Sequence, residues 1–257
     1  MISKNQIKLV RSLEQKKYRL REGLFVAEGP KVVGDLLASG FSPRQLFATA
    51  EWNGGERSLA LPLQDVSGDE LHKLSFLQHP QQVLALFELP APLASASSAL
   101  ASAPSSLFLA LDGVQDPGNL GTIIRLADWF GINTVFCSED TADAFSPKVV
   151  QATMGSIARV HVTYADLKSF LSKSGLPVFG TLLDGDNIYQ QHLPDRGIIV
   201  MGNEGNGISM PIRKLVTHKL LIPKFREGPE SLNVAIATAI VCSEFRRCVH
   251  ADNLYSL

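Results

Sequence analysis

The sequence predicts an α/β protein in two parts: a smaller α/β domain first, then a mostly parallel sheet flanked by helices. Three observations carry this expectation. Short runs rich in Val, Ile, Leu and Phe alternate with helical patterns along the chain, as in sheets covered on both faces. Residues 90–106, PAPLASASSALASAPSS, are low-complexity Ala/Ser/Pro and break that pattern. The 257 residues, 45% hydrophobic and 19% charged, suffice for two ordinary cores. The expected organisation is therefore a domain over residues 1–89, a linker over 90–106 and a second domain over 107–257.

In the first domain, apolar Ile7, Leu9, Val10 and Leu13 lie among many charges, which predicts an amphipathic helix over residues 2–17 with a basic outer face. Strands follow at 24–27, 45–48 and 82–89. Helices are expected at 30–37, starting on Pro30, and at 67–74, capped at Ser67 or Asp69. The second domain opens with a buried strand at 107–111. The turn chemistry of Asp116-Pro117-Gly118-Asn119 then leads into a helix with apolar Ile123, Ile124, Ala127 and Phe130. Strands at 134–137, 160–162, 178–182, 197–201 and 219–222 alternate with helices at 146–153 and 165–174. A buried helix is expected from 232 to 247, with Ser231 as its N-cap. Trp129 and Phe130 are read as core or as a contact between two copies.

Composition excludes several classes. A formal net charge of −1 leaves nucleic-acid binding to a local patch, and Lys8, Arg11, Lys16, Lys17, Arg19 and Arg21 supply one. Three cysteines without CxxC spacing, and six scattered histidines without HExxH, predict neither a disulfide framework nor a metal site; a reduced, cytoplasmic setting is expected. The charged amino terminus has no secretory pattern, and the longest apolar run, residues 232–242, is too short to span a membrane.

Candidate chemistry gathers in three loops, each following a predicted strand. In open α/β sheets ligands bind beyond the carboxyl ends of strands. Gly202-Asn203-Glu204-Gly205-Asn206-Gly207 is not GxGxxG. The glycines from Gly113 to Gly118 lack the Lys-Ser/Thr of a Walker A loop, and Ser231 is not in GxSxG. The polar groups are Asn119, Arg125, Asn203, Glu204, Ser231 and Asn233. None is a strong general base at neutral pH, so the set suits binding and orientation; a nucleotide-like ligand stays open.

The segments DGVQDPGNLGTIIRLADWFG, IIVMGNEGNGIS and LLIPKFREGPESLNVAIATAI resemble, in order, the three motifs of the SpoU/TrmH family of SPOUT RNA methyltransferases. KYRLREGLFVAEG is similar, more loosely, to the L30e/L7Ae-type substrate-binding domain fused ahead of many members. The resemblance implies a trefoil knot, a homodimer, and methyl transfer from S-adenosylmethionine to a ribose 2′-hydroxyl. Ribosomal (23S) RNA stands ahead of tRNA as substrate. A noncatalytic RNA- or ribosome-binding dimer is the alternative. By the same match Gly202, Ile222 and Leu232, with Thr181 and Leu182, would touch the methyl donor. Asn119, Arg125, Glu204, Ser231 and Asn233 would form the catalytic or RNA-facing set. One departure is a third-motif loop one residue longer than expected, carrying Lys224, Arg226 and Glu227.

Overall fold

The computed structural model describes residues 1–53, 62–91, 107–226 and 231–254, with side chains to 247. The linker at 90–106 and Glu227 thus fall wholly or mostly outside the described residues. Contacts divide the chain into two compact units: residues 1–91 with 143–159, and residues 92–142 with 160–257.

In the first unit the predicted basic helix is two helices. α1 (Lys4–Ser12) starts on Ser3, whose side chain accepts from the Gln6 amide in a reciprocal capping box. α2 (Lys16–Glu22) is closed by Gly23 in the left-handed region, φ 66°. β1 (Leu24–Glu28), β2 (Pro43–Ala48), β3 (Leu63–Asp65) and β4 (Val83–Glu88) form one sheet in the order β1-β4-β2-β3. β4 is antiparallel to both neighbours, and β2 and β3 are parallel. β3 has no counterpart in the sequence reading, because three residues of mixed polarity give no period. α3 (Pro30–Ala38) and α4 (Gly68–Leu74) lie where expected, the latter capped by Ser67. Val10, Leu13, Val26, Phe47, Leu71 and Leu86 meet in one core.

The segment 143–159, read from the sequence as part of the second domain, packs within this unit. It carries α6 (Pro147–Ala152), which lies against β1. Phe145 meets the Phe25 ring at 5.0 Å between centroids. At Gly155 the positive φ of 97° favours glycine, and a Cβ would lie 2.2 Å from an Asp35 carboxylate oxygen, so that side chain would have to shift to admit one.

The second unit is a six-stranded parallel sheet, order β10-β8-β9-β5-β6-β7. Its strands are β5 (Leu107–Asp112), β6 (Thr134–Cys137), β7 (His161–Tyr164), β8 (Val178–Asn187), β9 (Gly197–Gly202) and β10 (His218–Leu221). The central β5 and β9 are buried at every position, as their continuous apolar runs require. α5 (Pro117–Trp129), α7 (Leu167–Lys173), α8 (Met210–Arg213) and α9 (Val234–Leu254) complete the unit. From β5 the chain moves to β6 and β7 on one side, then returns to β8 and β9 on the other. The sheet's switch point therefore lies between β5 and β9.

The helix α9 begins at Val234, and Asn233 caps it: its Oδ1 accepts from the Ala235 and Ile236 amides at 2.9 and 3.3 Å. The expected cap, Ser231, stands two residues upstream and exposed. An asparagine carbonyl next to the first turn takes the place that the serine hydroxyl was expected to fill.

Candidate active site

β5 and β9 run side by side with Asp112 opposite Gly202, so the loops that follow them leave the sheet together. The second loop folds back on itself: the Asn203 and Gly207 amides each donate to the other's carbonyl, at 3.0 and 2.9 Å. Its closure requires Gly202. A Cβ there would lie 2.2–2.5 Å from Gly207 and Ile208 backbone atoms, so even alanine displaces the loop.

Side chains then bind the loops to one another. Asn203 Nδ2 donates to the Gly113 carbonyl at 2.7 Å, while its Oδ1 accepts from the Gly205 and Asn206 amides. Glu204 accepts from the Gln115 and Asp116 amides at 3.3 and 3.2 Å, and from Asn119 Nδ2 at 3.0 Å. Asn119 Oδ1 accepts from Asn233 Nδ2 at 2.9 Å. One chain of bonds, Asn233 to Asn119 to Glu204, thus joins all three loops. Burial alone would push the Glu204 carboxyl up, but the bonds from Asn119 and from the Asp116 and Gln115 amides outweigh it and hold its pKa low. A carboxylate so engaged is ionised at neutral pH and serves to hold the first loop.

Asp116 caps α5, accepting from the Asn119 amide at 2.8 Å, with Pro117 in the first turn. Arg125 sits six residues beyond Asn119, about 9 Å along the axis at 1.5 Å per residue. It is exposed, and no hydrogen bond or ion pair holds it among the described residues. The structure therefore gathers Asn119, Glu204 and Asn233 and leaves Arg125 and Ser231 outside their network. Trp129, one turn beyond Arg125, is 84% exposed, which overturns its reading as core.

Four of the five residues expected at the methyl donor lie on three neighbouring strands or directly after them, and the fifth, Leu232, lies just ahead of α9. Thr181 and Leu182 are on β8, where Thr181 Oγ1 approaches the Met201 sulfur at 3.8 Å. Gly202 ends β9, Ile222 follows β10, and Leu232, half exposed, precedes α9. Along β8 the pairing with β10 jumps from Gly180–Lys219 to Asp186–Leu220, so residues 181–185 bow out beside the site. Gly185 makes the return possible, since a Cβ would stand 2.7–2.9 Å from Leu220 backbone.

Two residues help build this arrangement that the family resemblance did not assign: Asn203, named only among the polar groups of the loops, and Asp112, not named at all. Asn203 is the pivot of the second loop. Asp112, nearly buried at the end of β5, accepts from the Ser209 amide at 2.7 Å and fixes where that loop rejoins the fold. A polar residue closing an otherwise apolar strand was the available signal. In the basic stretch, Arg19 departs from expectation. It is 2% exposed, pairs with Asp143 at 2.5 Å, and donates to the Leu13 and Glu14 carbonyls. Its guanidinium is enclosed by the first unit and is not on the solvated face; Lys8, Arg11, Lys16, Lys17 and Arg21 are exposed.

Residues 106–243 match the SpoU rRNA Methylase family, and residues 4–85 match the MRM3-like substrate binding domain. The 23S rRNA (guanosine(2553)-2′-O)-methyltransferase RlmP of Bacillus subtilis is 31% identical over 250 residues, covering 95% of this chain and 97% of that one. A TrmH-family protein from Porphyromonas gingivalis superposes with a TM-score of 0.84 at 44% identity, over 96% of this chain and 99% of that one. An AdoMet-bound rRNA methyltransferase from Sinorhizobium meliloti gives 0.81 at 29% identity, over 96% of each.

Proposed function

The chain belongs to the SpoU rRNA methylase family, and from that premise we propose that it methylates a ribose 2′-hydroxyl of ribosomal RNA, 23S RNA first, using S-adenosylmethionine. RlmP of Bacillus subtilis is named for that reaction on 23S rRNA, and the Sinorhizobium meliloti enzyme is described with AdoMet bound. The observation that carries the reading is the bond chain Asn233–Asn119–Glu204, which organises three loops at the switch point, while Arg125, on the same helix as Asn119, is exposed and has no partner among the described residues.

When bound, S-adenosylmethionine supplies a methyl group made electrophilic by its sulfonium. The residues present fit such a ligand. Ile222 and Leu232 offer apolar, partly exposed surface, and Gly202 keeps the loop backbone close to it. Thr181 and Leu182 form the neighbouring wall. Arg125 carries a planar guanidinium fork of donors only. It holds the phosphate next to the target ribose and stabilises the alkoxide as it develops. Ser231, exposed beside Leu232, or a water relays the proton. Glu204, Asn119 and Asn233 act as positioning residues, and positioning can contribute about 7–11 kcal/mol in such a reaction.

The functional division runs residues 1–89 for RNA binding, through Lys8, Arg11, Lys16, Lys17 and Arg21, and residues 107–257 for methyl transfer. A homodimer forms through α5 and α9. These lie side by side, joined by Asn233–Asn119 at one end and Arg246–Phe130 at the other, and present exposed Trp129 and Ile236. A trefoil knot near Gly185 and Leu220 agrees with the close chain approach there. The cytoplasm suits the free buried thiols of Cys137 and Cys242. Among the described residues no helix is long and apolar enough to cross a membrane.

The test is methyl transfer by the full chain, with labelled S-adenosylmethionine, to ribosomal RNA from a strain lacking it. One new 2′-O-methyl nucleotide by mass spectrometry is expected. RNA binding without transfer to ribosomal or transfer RNA would instead establish the noncatalytic alternative.

A further inference from the structure

Strand β1 ends at Glu28, which is 6% exposed. Phe76 N donates to its Oε1 at 2.8 Å, and the Ser75 hydroxyl donates to its Oε2. An ionised carboxylate has about four acceptor positions, so about half of this one's capacity is unused among the described residues. Burial pushes the Glu28 carboxyl up, opposed by those two bonds and by the charge of Arg11. A further donor would stabilise it.

Glu28 lines a cavity of about 230 Å³ within the first unit. Val26, Phe76 and Pro147 give apolar walls, and Lys148 and Gln151, from α6, bring donors. Arg11 backs the site: its guanidinium lies 5.3 Å from the Phe76 ring centroid and donates to the Lys73 carbonyl at 3.1 Å. Methyl transfer as described above uses none of these groups except Arg11.

We propose that this cavity holds an unpaired guanine of the RNA substrate by its Watson–Crick edge, an inference that rests on the reading of the chain as RNA-binding. Guanine alone among the four bases places two adjacent donors, N1–H and N2–H, on that edge. They match the two unused positions of the Glu28 carboxylate. The neighbouring O6 is an acceptor, and Lys148 Nζ or Gln151 Nε2 supplies its donor. Adenine would turn its N1 lone pair toward the carboxylate. Uracil and cytosine offer one donor flanked by an acceptor. Single-stranded bases are read in this way, with the ring face against flat side chains, and a bidentate contact of this type discriminates by about tenfold or more.

The experiment measures binding of the full chain to labelled uridine octamers carrying guanosine, inosine, adenosine or uridine at one central position. Guanosine is expected to bind about tenfold more tightly than adenosine, with inosine, which lacks N2, in between. Glu28→Gln retains both internal bonds, its carbonyl accepting from Phe76 N and its amide donating to Ser75 Oγ. It should bring the guanosine octamer down to the uridine one. Lys148→Met, outside those internal bonds, should narrow the preference as well. Equal affinity for guanosine and adenosine, or a preference that survives Glu28→Gln, overturns the pocket while leaving the methyltransferase reading intact. A lower melting temperature in Glu28→Gln with the base preference unchanged would make Glu28 a structural cap and also overturn it. Binding to no octamer, together with no methylation of ribosomal RNA, removes the RNA reading itself.

Discussion

The basic stretch at the amino terminus and the loop cluster at the carboxyl ends of β5, β9 and β10 look alike in the sequence, as concentrations of polar side chains near turns. The fold uses them differently. In the basic stretch Arg19 turns inward to Asp143 and two backbone carbonyls, while Lys17 and Arg21 stay outside, each 4.8 Å from the Tyr18 ring centroid. In the loop cluster Asn119, Glu204 and Asn233 satisfy one another, and Arg125 has no partner among the described residues. Side-chain type therefore does not separate ligand-binding residues from scaffold. What separates them is whether the folded chain already supplies a partner.

The comparison is broken most severely at Arg19. Removing one member of a buried ion pair leaves the other charge uncompensated, which costs about 3–5 kcal/mol. Arg19→Ala should lower unfolding stability by that amount in denaturant titration. A loss under about 1 kcal/mol would return Arg19 to the surface set. Arg125→Ala makes the opposite case, with transfer falling by about 10²–10³-fold, unfolding stability within about 0.5 kcal/mol of the parent, and S-adenosylmethionine affinity retained. Unimpaired turnover would take Arg125 out of the chemistry.

Smaller effects sharpen the picture. Asn233→Ala removes a helix cap and the link to Asn119 together, and about 1 kcal/mol of stability should go with the cap alone. Because the Glu204 pKa is lowered on folding, its contribution is complete above its unfolded pKa and lost as pH falls through the folded one. Loop order, followed through S-adenosylmethionine binding, should therefore hold at neutral pH and decline only below the usual carboxylate range. Glu204→Gln should flatten that acid limb; an unchanged limb would assign it elsewhere. Last, Lys16, Lys17 and Arg21 changed to Gln, with Arg19 left in place, should reduce the salt slope of RNA binding by about 2, at about 0.7 per contact on single strands. An unaltered slope would make these charges a solvated face.

Much of the scaffold was legible because periodicity reports burial. β5 and β9 read as buried strands from their unbroken apolar runs, and the spacing of Ile123, Ile124 and Ala127 marked α5, although residues 116–119 read as a turn and the helix begins at Pro117. What escaped notice depends on contacts between distant residues. Nothing local in Lys16-Lys17-Tyr18-Arg19 distinguishes the arginine that meets Asp143, 124 positions away. The motif resemblance brought Asn119, Glu204 and Asn233 to one list, but only the structure shows that they bond to each other. Ser231 was chosen as the cap by residue type, whereas the backbone enters α9 two residues later, at Asn233.

The placement of residues 143–159 in the first unit bears on how the protein is made. The sheet of β1 to β4 is synthesised by residue 88, yet Asp143, the partner of Arg19, Phe145 and α6, which ends at Ala152, follow 55 to 64 residues later. At about 5–20 residues per second that is a wait of roughly 3–13 s. During that interval the Arg19 guanidinium has no counter-charge from Asp143 and the Phe25 ring lacks Phe145. The emerging amino-terminal unit is then an incomplete body, open to chaperones and proteases, and a chain cut at the linker would hold it permanently at that stage.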